Sequence, residues 1–279
     1  MLLPFWNKDD IRIMIIIIFF FGLAIGSFLN MLVWRMQHQE SILGRSYCDQ
    51  TREKLEVIDL FPVVSYILHK GKCRKCQAKL PIIYPIVELV SGLLAALTYW
   101  RIETTTLPFL DHPWQMIAYV IVNLLVVYLI FYFALYDLHY WEVEVRSVIV
   151  AFVILAVLLV INQFVAVSFL PDLVSAVFGG LAGAGLIGIV VLITKGGGMG
   201  TGDIFLFGLA GMIVGIEGIW WAFMAAVLTG SLLGIIVLLI KRKLKGVMIQ
   251  FAPLIAWGTI IVFLFKFEIL ELVKRLFYL

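Results

Sequence analysis

Three carboxylates sit where a carboxylate is expensive. Asp137 and Asp203 each lie at the end of a long apolar run, and Glu88 lies just inside another. A charge in such a place is a functional candidate by default. Two close carboxylates share one proton, because both cannot ionise at short range. One then acts as general base for a water, and the other, protonated, polarises a carbonyl. That is the chemistry of aspartic peptide hydrolysis. Simpler roles are open to the same residues. Asp203 suits a helix N-terminus as a cap, and Asp137 could mark where a span meets water. The residues before Asp203 read Lys195-Gly196-Gly197-Gly198-Met199-Gly200-Thr201-Gly202. Glycine permits positive φ and close backbone approach. Such a run could admit an extended peptide beside the Asp, form a gate, or simply turn the chain between two spans.

A second group of residues suggests a metal. Cys73-Arg74-Lys75-Cys76 places two thiols at a spacing that can hold one edge of a tetrahedral Zn²⁺. Cys48 is the only other cysteine, so a fourth ligand would come from His69, Asp49 or Asp59. The alternative is three free thiols. No βαβ pattern surrounds the pair, which argues against a thioredoxin-like redox role.

The elements that must position these residues follow from composition. Of 279 residues, 63% are apolar and 14% charged, and the mean hydropathy is +1.08. A soluble domain carries roughly 45–50% apolar residues, so a disordered chain, a collagen and an ordinary soluble enzyme are excluded. A spanning helix needs about 20 apolar residues. Eight such runs can be read: 11–33, 84–100, 114–136, 146–163, 172–194, a short one at 203–215, 219–240 and 251–266. The expected fold is therefore an all-α polytopic membrane protein. The charges leading the first run are mixed (Lys8, Asp9, Asp10, Arg12), so that run reads as a span and not as a signal peptide. The net charge of +3 gives no case for nucleic acid.

Lys and Arg set the orientation, since they stay cytoplasmic. With the N-terminus outside, fifteen basic residues fall inside and six outside. The one long polar segment, from 37 to about 83, is then cytoplasmic and holds all three cysteines. A loop this long usually has a function or its own small fold. Span three runs inward and ends at Asp137, and span six starts outward from Asp203. Both carboxylates are thus expected at the cytoplasmic face, at similar depth. Trp100, Trp114 and Trp141 lie near span ends, as interface anchors do.

Several segments, taken in order, resemble the type IV prepilin peptidases, also called leader peptidase/N-methyltransferases. They are Gly26-Ser27-Phe28-Leu29-Asn30 with Trp34-Arg35, then Asp59-Leu60-Phe61-Pro62-Val63-Val64-Ser65-Tyr66, and Gly71-Lys72-Cys73 through Cys76. Tyr84 through Gly92, Gly200-Thr201-Gly202-Asp203 and Phe251 through Gly258 complete the set. The resemblance covers nearly the whole chain. It implies a bifunctional enzyme of the bacterial cytoplasmic membrane. Such an enzyme cuts the basic leader from prepilin and pseudopilin precursors on the cytoplasmic side. It then methylates the new N-terminal amine, usually of a Phe, with S-adenosylmethionine. The pair Asp137 and Asp203 carries over as catalytic, with Gly200 and Gly202 supporting the active-site loop. Glu88, Gly71 and Lys72 carry over as methyltransferase candidates, although Glu88 could instead be a buried acid paired with a basic loop residue, and Cys48, Cys73 and Cys76 fall in the family's cysteine loop as candidate metal ligands. It also implies a division near residue 110, with a methyltransferase-like part at 1–110 and a six-helix peptidase part at 111–279.

The sequence departs from the family pattern in three places. Thr51 stands where a partner for Cys48 would be, Glu144 where a Pro usually follows the first Asp, and Phe205 where many members have a Lys. With Glu142, Glu144 adds negative charge near Asp137, which could attract a basic leader or be ordinary loop charge. Thr51 motivates an alternative, a peptidase without methyltransferase activity. A non-catalytic pilin-binding scaffold is another. A transporter is disfavoured, because it would show inverted repeats and acids near the midplane.

Overall fold

The computed structural model describes residues 8–48, 50–105, 113–164, 170–196, 199–241 and 250–277. Its helices are α1 (Lys8–Gln37), α2 (Val64–Leu68), α3 (Ile83–Thr105), α4 (Pro113–Tyr140) and α5 (Val145–Asn162), followed by α6 (Leu173–Thr194), α7 (Thr201–Lys241) and α8 (Ala252–Phe277). A short 3₁₀ turn spans Val57–Leu60. Among the described residues the only β pairing is two isolated bridges. All but α2 are long and apolar enough to cross a bilayer, which makes seven such helices. In hydrocarbon every backbone group must be satisfied within the element, which selects helices for these runs. The protein is an all-α polytopic membrane protein.

Eight expected spans fall on seven helices because two of them share α7. At 41 residues, a straight α7 would be about 60 Å long, twice the hydrocarbon thickness. It is not straight. Gly215 has φ 74° and ψ 178°, outside helical geometry. The rings of Phe207 and Phe223 lie 5.9 Å apart, whereas a straight helix would separate those residues by about 24 Å. Thus α7 doubles back at Gly215 into two limbs. A Cβ at Gly215 would also meet the Ser175 hydroxyl at 2.6 Å. The first limb, 201–214, is shorter than a full span.

The chain forms two compact units, Met1–Val120 and Ile121–Leu279. In the first, α1 packs on α3 through small residues. A Cβ at Gly22 would lie 2.7 Å from Ala95 Cβ, and one at Gly26 2.8 Å from Glu88 Cα. The Ser91 hydroxyl donates to the Gly22 carbonyl at 2.6 Å. Between helices in lipid there is no hydrophobic drive, so close backbone packing and such hydrogen bonds hold them together. In the second unit, α7 is packed against α6 on one limb and α8 on the other. Gly179 and Gly183 of α6 meet the backbone of the first limb at Gly211 and Phe207, and Gly258 of α8 meets Ala222 of the second.

The segment joining α1 to α3 has its own fold. Two turns of the same design face each other. Cys48 N–H donates to the Glu53 carbonyl and Arg52 N–H to the Cys48 carbonyl, and likewise Cys73 to Ala78 and Gln77 to Cys73. Arg52 and Gln77 both adopt positive φ. Ion pairs tie the segment together: Arg74 with Asp59 at 3.0 Å, Lys75 with Glu56 at 3.2 Å and Arg52 with Glu40 at 2.8 Å. The Arg52 guanidinium also lies over Tyr47, 4.8 Å from the ring centre, a cation–π contact.

Candidate functional site

Asp137 lies three residues before the end of α4, and Asp203 in the first turn of α7. Both line one cleft of about 1280 Å³ in the second unit, with Trp141, Glu142, Met199, Phe205 and Phe251 among the other walls. They are near enough for a direct electrostatic interaction. Asp137 is buried, and its carboxylate accepts the Ala252 N–H at the start of α8. The Gln250 side chain donates to the Asp137 backbone carbonyl, fixing the end of α4 from the same strand of chain. Neither Gln250 nor the Ala252 N–H is evident as a site group in the sequence. Their only signal is their place beside the Phe251-Ala252-Pro253 segment.

Asp203 caps its own helix and also faces the cleft. Its carboxylate accepts the Gly200 N–H at 3.1 Å, reaching back to the residue that caps α7, as the third residue of a capping box does. The same carboxylate lines the cleft. Gly202 has a clear reason to be glycine: a Cβ there would lie 2.8 Å from Val143 Cβ. The missing side chain lets the α4–α5 connection, which carries Glu142, approach the start of α7. Gly200 meets only loose contacts and contributes its N–H. Gly197 and Gly198 lie outside the described residues.

The two extra acids separate. Glu144 is the N-cap of α5 and accepts the Ser147 N–H, a local structural role, and it is not among the cleft walls. Glu142 is exposed and lines the cleft. Phe205 is a wall of the cleft as well.

The cysteines converge in the first unit. Cys48 Sγ lies 3.5 Å from Cys76 Sγ and 3.6 Å from Cys73 Sγ, and all three lie within 4.8 Å of one another. Tetrahedral zinc with Zn–S bonds of about 2.3 Å needs sulfurs roughly 3.8 Å apart, so the three thiols fit three corners. The twin turns identify the fourth. Thr51 holds the place in the first turn that Cys76 holds in the second, and it hydrogen-bonds Cys48 through both its side chain and its backbone. Burial pushes the Cys48 thiol up, but the Thr51 hydroxyl and the N–H groups of Thr51 and Gln50 outweigh it and hold it at about 7. Among the other ligands suggested by the sequence, His69 and Asp59 face each other at 3.7 Å and do not join the cluster. Asp49 lies outside the described residues.

A second cavity, of about 440 Å³, lies beside this cluster. Its walls include Ser27, Asn30, Asp59, Lys72, Lys79 and Glu88. Glu88 is buried and accepts the Val63 N–H at 2.7 Å and a hydrogen bond from Ser27. Val63 itself has φ 61° and ψ −47°, a costly conformation for a β-branched residue. Of the three methyltransferase candidates, Glu88 and Lys72 line the cavity. Gly71 does not: it turns the chain at φ +69°, where a Cβ would sit 2.9 Å from the Tyr66 hydroxyl.

With this geometry in place, comparison with known proteins gives a consistent result. Residues 20–102 match the family described as Bacterial Peptidase A24 N-terminal domain. A protein of Bacillus subtilis (strain 168) named prepilin leader peptidase/N-methyltransferase is 32% identical over 259 residues. That alignment covers 92% of this chain and 97% of the relative. A protein of the same name from Neisseria gonorrhoeae is 27% identical over 271 residues, covering 87% of each. One from Pseudomonas aeruginosa is 27% identical over 260 residues, covering 84% of each. No solved structure matches the chain. The chain belongs to the prepilin leader peptidase/N-methyltransferase family.

Proposed function

We propose that the protein is a membrane aspartic endopeptidase that removes the basic leader from prepilins or pseudopilins. The observation that carries this reading is the pair Asp137 and Asp203, brought by α4 and α7 to one cleft large enough for an extended peptide. One carboxylate takes a proton from water as the oxygen attacks the scissile carbonyl. The other, protonated, gives its proton to the carbonyl oxygen. Collapse of the tetrahedral intermediate expels the amine, which leaves protonated as the new N-terminus. The excess of Lys and Arg on the loops at the Asp end favours a cytoplasmic active site in a bacterial inner membrane. Glu142, with no basic partner among the described residues, supplies negative charge where a basic leader would enter.

The same reading assigns methyl transfer to the first unit, 1–120 or thereabouts. S-adenosylmethionine is the methyl donor that the relatives' name implies, and the cavity beside Glu88 and Lys72 is its candidate site. Cys48, Cys73 and Cys76 would hold a zinc ion that ties the two turns together and so shapes one wall of that cavity. The combined reading is tested with purified protein in liposomes, a prepilin and labelled S-adenosylmethionine. Leader-length mass loss followed by label on the mature N-terminus is expected. Cleavage without label would leave the peptidase alone, as Thr51 in place of a cysteine suggests. Binding without either would leave a pilin scaffold.

A further inference from the structure

We propose that Asn30 and Glu88 together form the subsite that receives the free α-ammonium of the cleaved peptide. The proposal rests on the methyltransferase reading of the first unit and names what that site recognises. It starts from an acceptor without a donor. Asn30 Oδ1 is buried and has no hydrogen-bond partner among the described residues. The amide orientation is set by its other end, because Nδ2 donates to the Tyr84 carbonyl at 3.3 Å. The oxygen is therefore not free to exchange places with the nitrogen. A buried polar atom left unsatisfied is costly, so the position calls for a ligand that brings an N–H.

The register of α1 on α3 places Glu88 beside it. Gly26 meets Glu88, and four residues on, Asn30 meets Tyr84. The two side chains thus stand about one helical turn apart on the same seam, and both line the 440 Å³ cavity. Glu88 gives one oxygen to the Val63 N–H, and its carboxylate retains further acceptor sites. Asn30 Oδ1, Glu88 and the Ser27 hydroxyl oxygen offer three acceptors, the number a primary ammonium can donate to. Lys72, Lys79 and Arg74 also line the cavity, and Arg74 is already paired with Glu56 and Asp59. Arg35 is not available, since its guanidinium donates to the carbonyls of Ser41, Ile42 and Arg45. The three acceptors suit an amine.

The step balances with these groups. The Glu88 carboxylate takes one proton from the ammonium, leaving a neutral amine with two N–H bonds, one of them held by Asn30. The nitrogen lone pair bonds the methyl carbon of the sulfonium donor as the C–S bond breaks. Its electron pair leaves on sulfur, giving a thioether and a methylated ammonium.

S-adenosylmethionine carries an ammonium of its own, and the experiment separates the two sources. Methyl transfer is measured on a synthetic mature pilin N-terminus in the wild type, Asn30→Ala and Glu88→Gln, varying peptide and donor independently. Prepilin cleavage and thermal unfolding of the same preparations report that each variant is folded. Asn30→Ala is expected to raise the peptide KM about 10-fold or more, the size of a hydrogen bond to a charged group. It should leave the donor KM within about twofold. The free peptide should compete better than its N-acetylated form in the wild type, and that difference should shrink in Asn30→Ala. Asn30→Ser, which keeps a hydroxyl, should recover part of the loss and stands in if alanine unfolds the protein. Unchanged peptide KM in a folded Asn30→Ala, or a rise confined to the donor KM, overturns the proposal while the methyltransferase reading survives. No transfer by the wild type on any pilin peptide ends that reading and this inference with it.

Discussion

Gly211→Ala should disable the peptidase from a distance. A Cβ on Gly211 would lie 2.0 Å from the Gly179 carbonyl oxygen, and one on Gly179 2.4 Å from the Gly211 carbonyl oxygen. The neighbours are backbone on both sides, so no side chain can swing away. α6 and the first limb of α7 must separate by at least about 1 Å, and overpacking of this kind costs about 1–3 kcal/mol. Gly211 lies eight residues beyond Asp203, about 12 Å along the helix. Asp203 is held at the cleft by the same limb. A misplacement of about 1 Å at a reacting group can cost roughly 100-fold in rate. The control is Gly185→Ala on α6, whose Cβ would meet nothing within 4 Å and which gains helix propensity. The assay is prepilin cleavage rate together with thermal unfolding in detergent. Gly211→Ala should melt lower and cut about 100-fold more slowly, while Gly185→Ala matches the wild type in rate. A Gly211→Ala protein that cuts and melts like Gly185→Ala would refute the claim that backbone contact between α6 and α7 positions Asp203.

Other consequences can be checked alongside. Glu144→Ala removes the N-cap of α5 and should cost about 1 kcal/mol in unfolding experiments, with cleavage changed far less than by either Asp substitution. Elemental analysis should find one zinc per chain, lost in Cys73→Ser, and Thr51→Cys should slow zinc release to a chelator by completing the fourth corner. Hydrogen bonds from Arg74 and then Lys75 hold Glu56 below the usual carboxylate range. Their support of the loop is therefore present above a pH of 4.5, the ordinary value for Glu, and is lost as pH falls through the lowered value. Hydrogen exchange at residues 50–80 should rise on acidification through that window, and less so in Glu56→Gln, which has no charge to lose.

Most of the architecture was legible because lipid leaves the chain few options. Runs such as 11–33 and 114–136 can only be helices. The doubling of α7 was half legible. Two spans could be read there, but not that a single glycine makes the turn, since nothing between Val214 and Glu217 carries a proline or a cap. Within the site, Asp137 and Asp203 stood out as carboxylates at the ends of apolar runs. Gln250 and the Ala252 N–H did not, because ordinary polar and backbone groups acquire their role only by position. The cysteine segment was legible in spacing but not in shape. That Thr51 stands where a cysteine would be was readable from the pattern, but that the two turns share one backbone design follows only from their matched hydrogen bonds. Asn30 was visible only as the last residue of the Gly26–Asn30 segment, and the buried Oδ1 without a partner among the described residues shows only in the structure.

The central claim is that Asp137 and Asp203 act together on the scissile peptide bond. The most direct measurement is cleavage of a prepilin in liposomes by the wild type, Asp137→Asn, Asp203→Asn and the double variant, read as leader-length mass loss. Each single variant should lose essentially all activity, and the double should be no worse than either single one, because the pair shares one task. Substantial cleavage by either single variant, in a protein that melts like the wild type, would contradict the two-carboxylate mechanism.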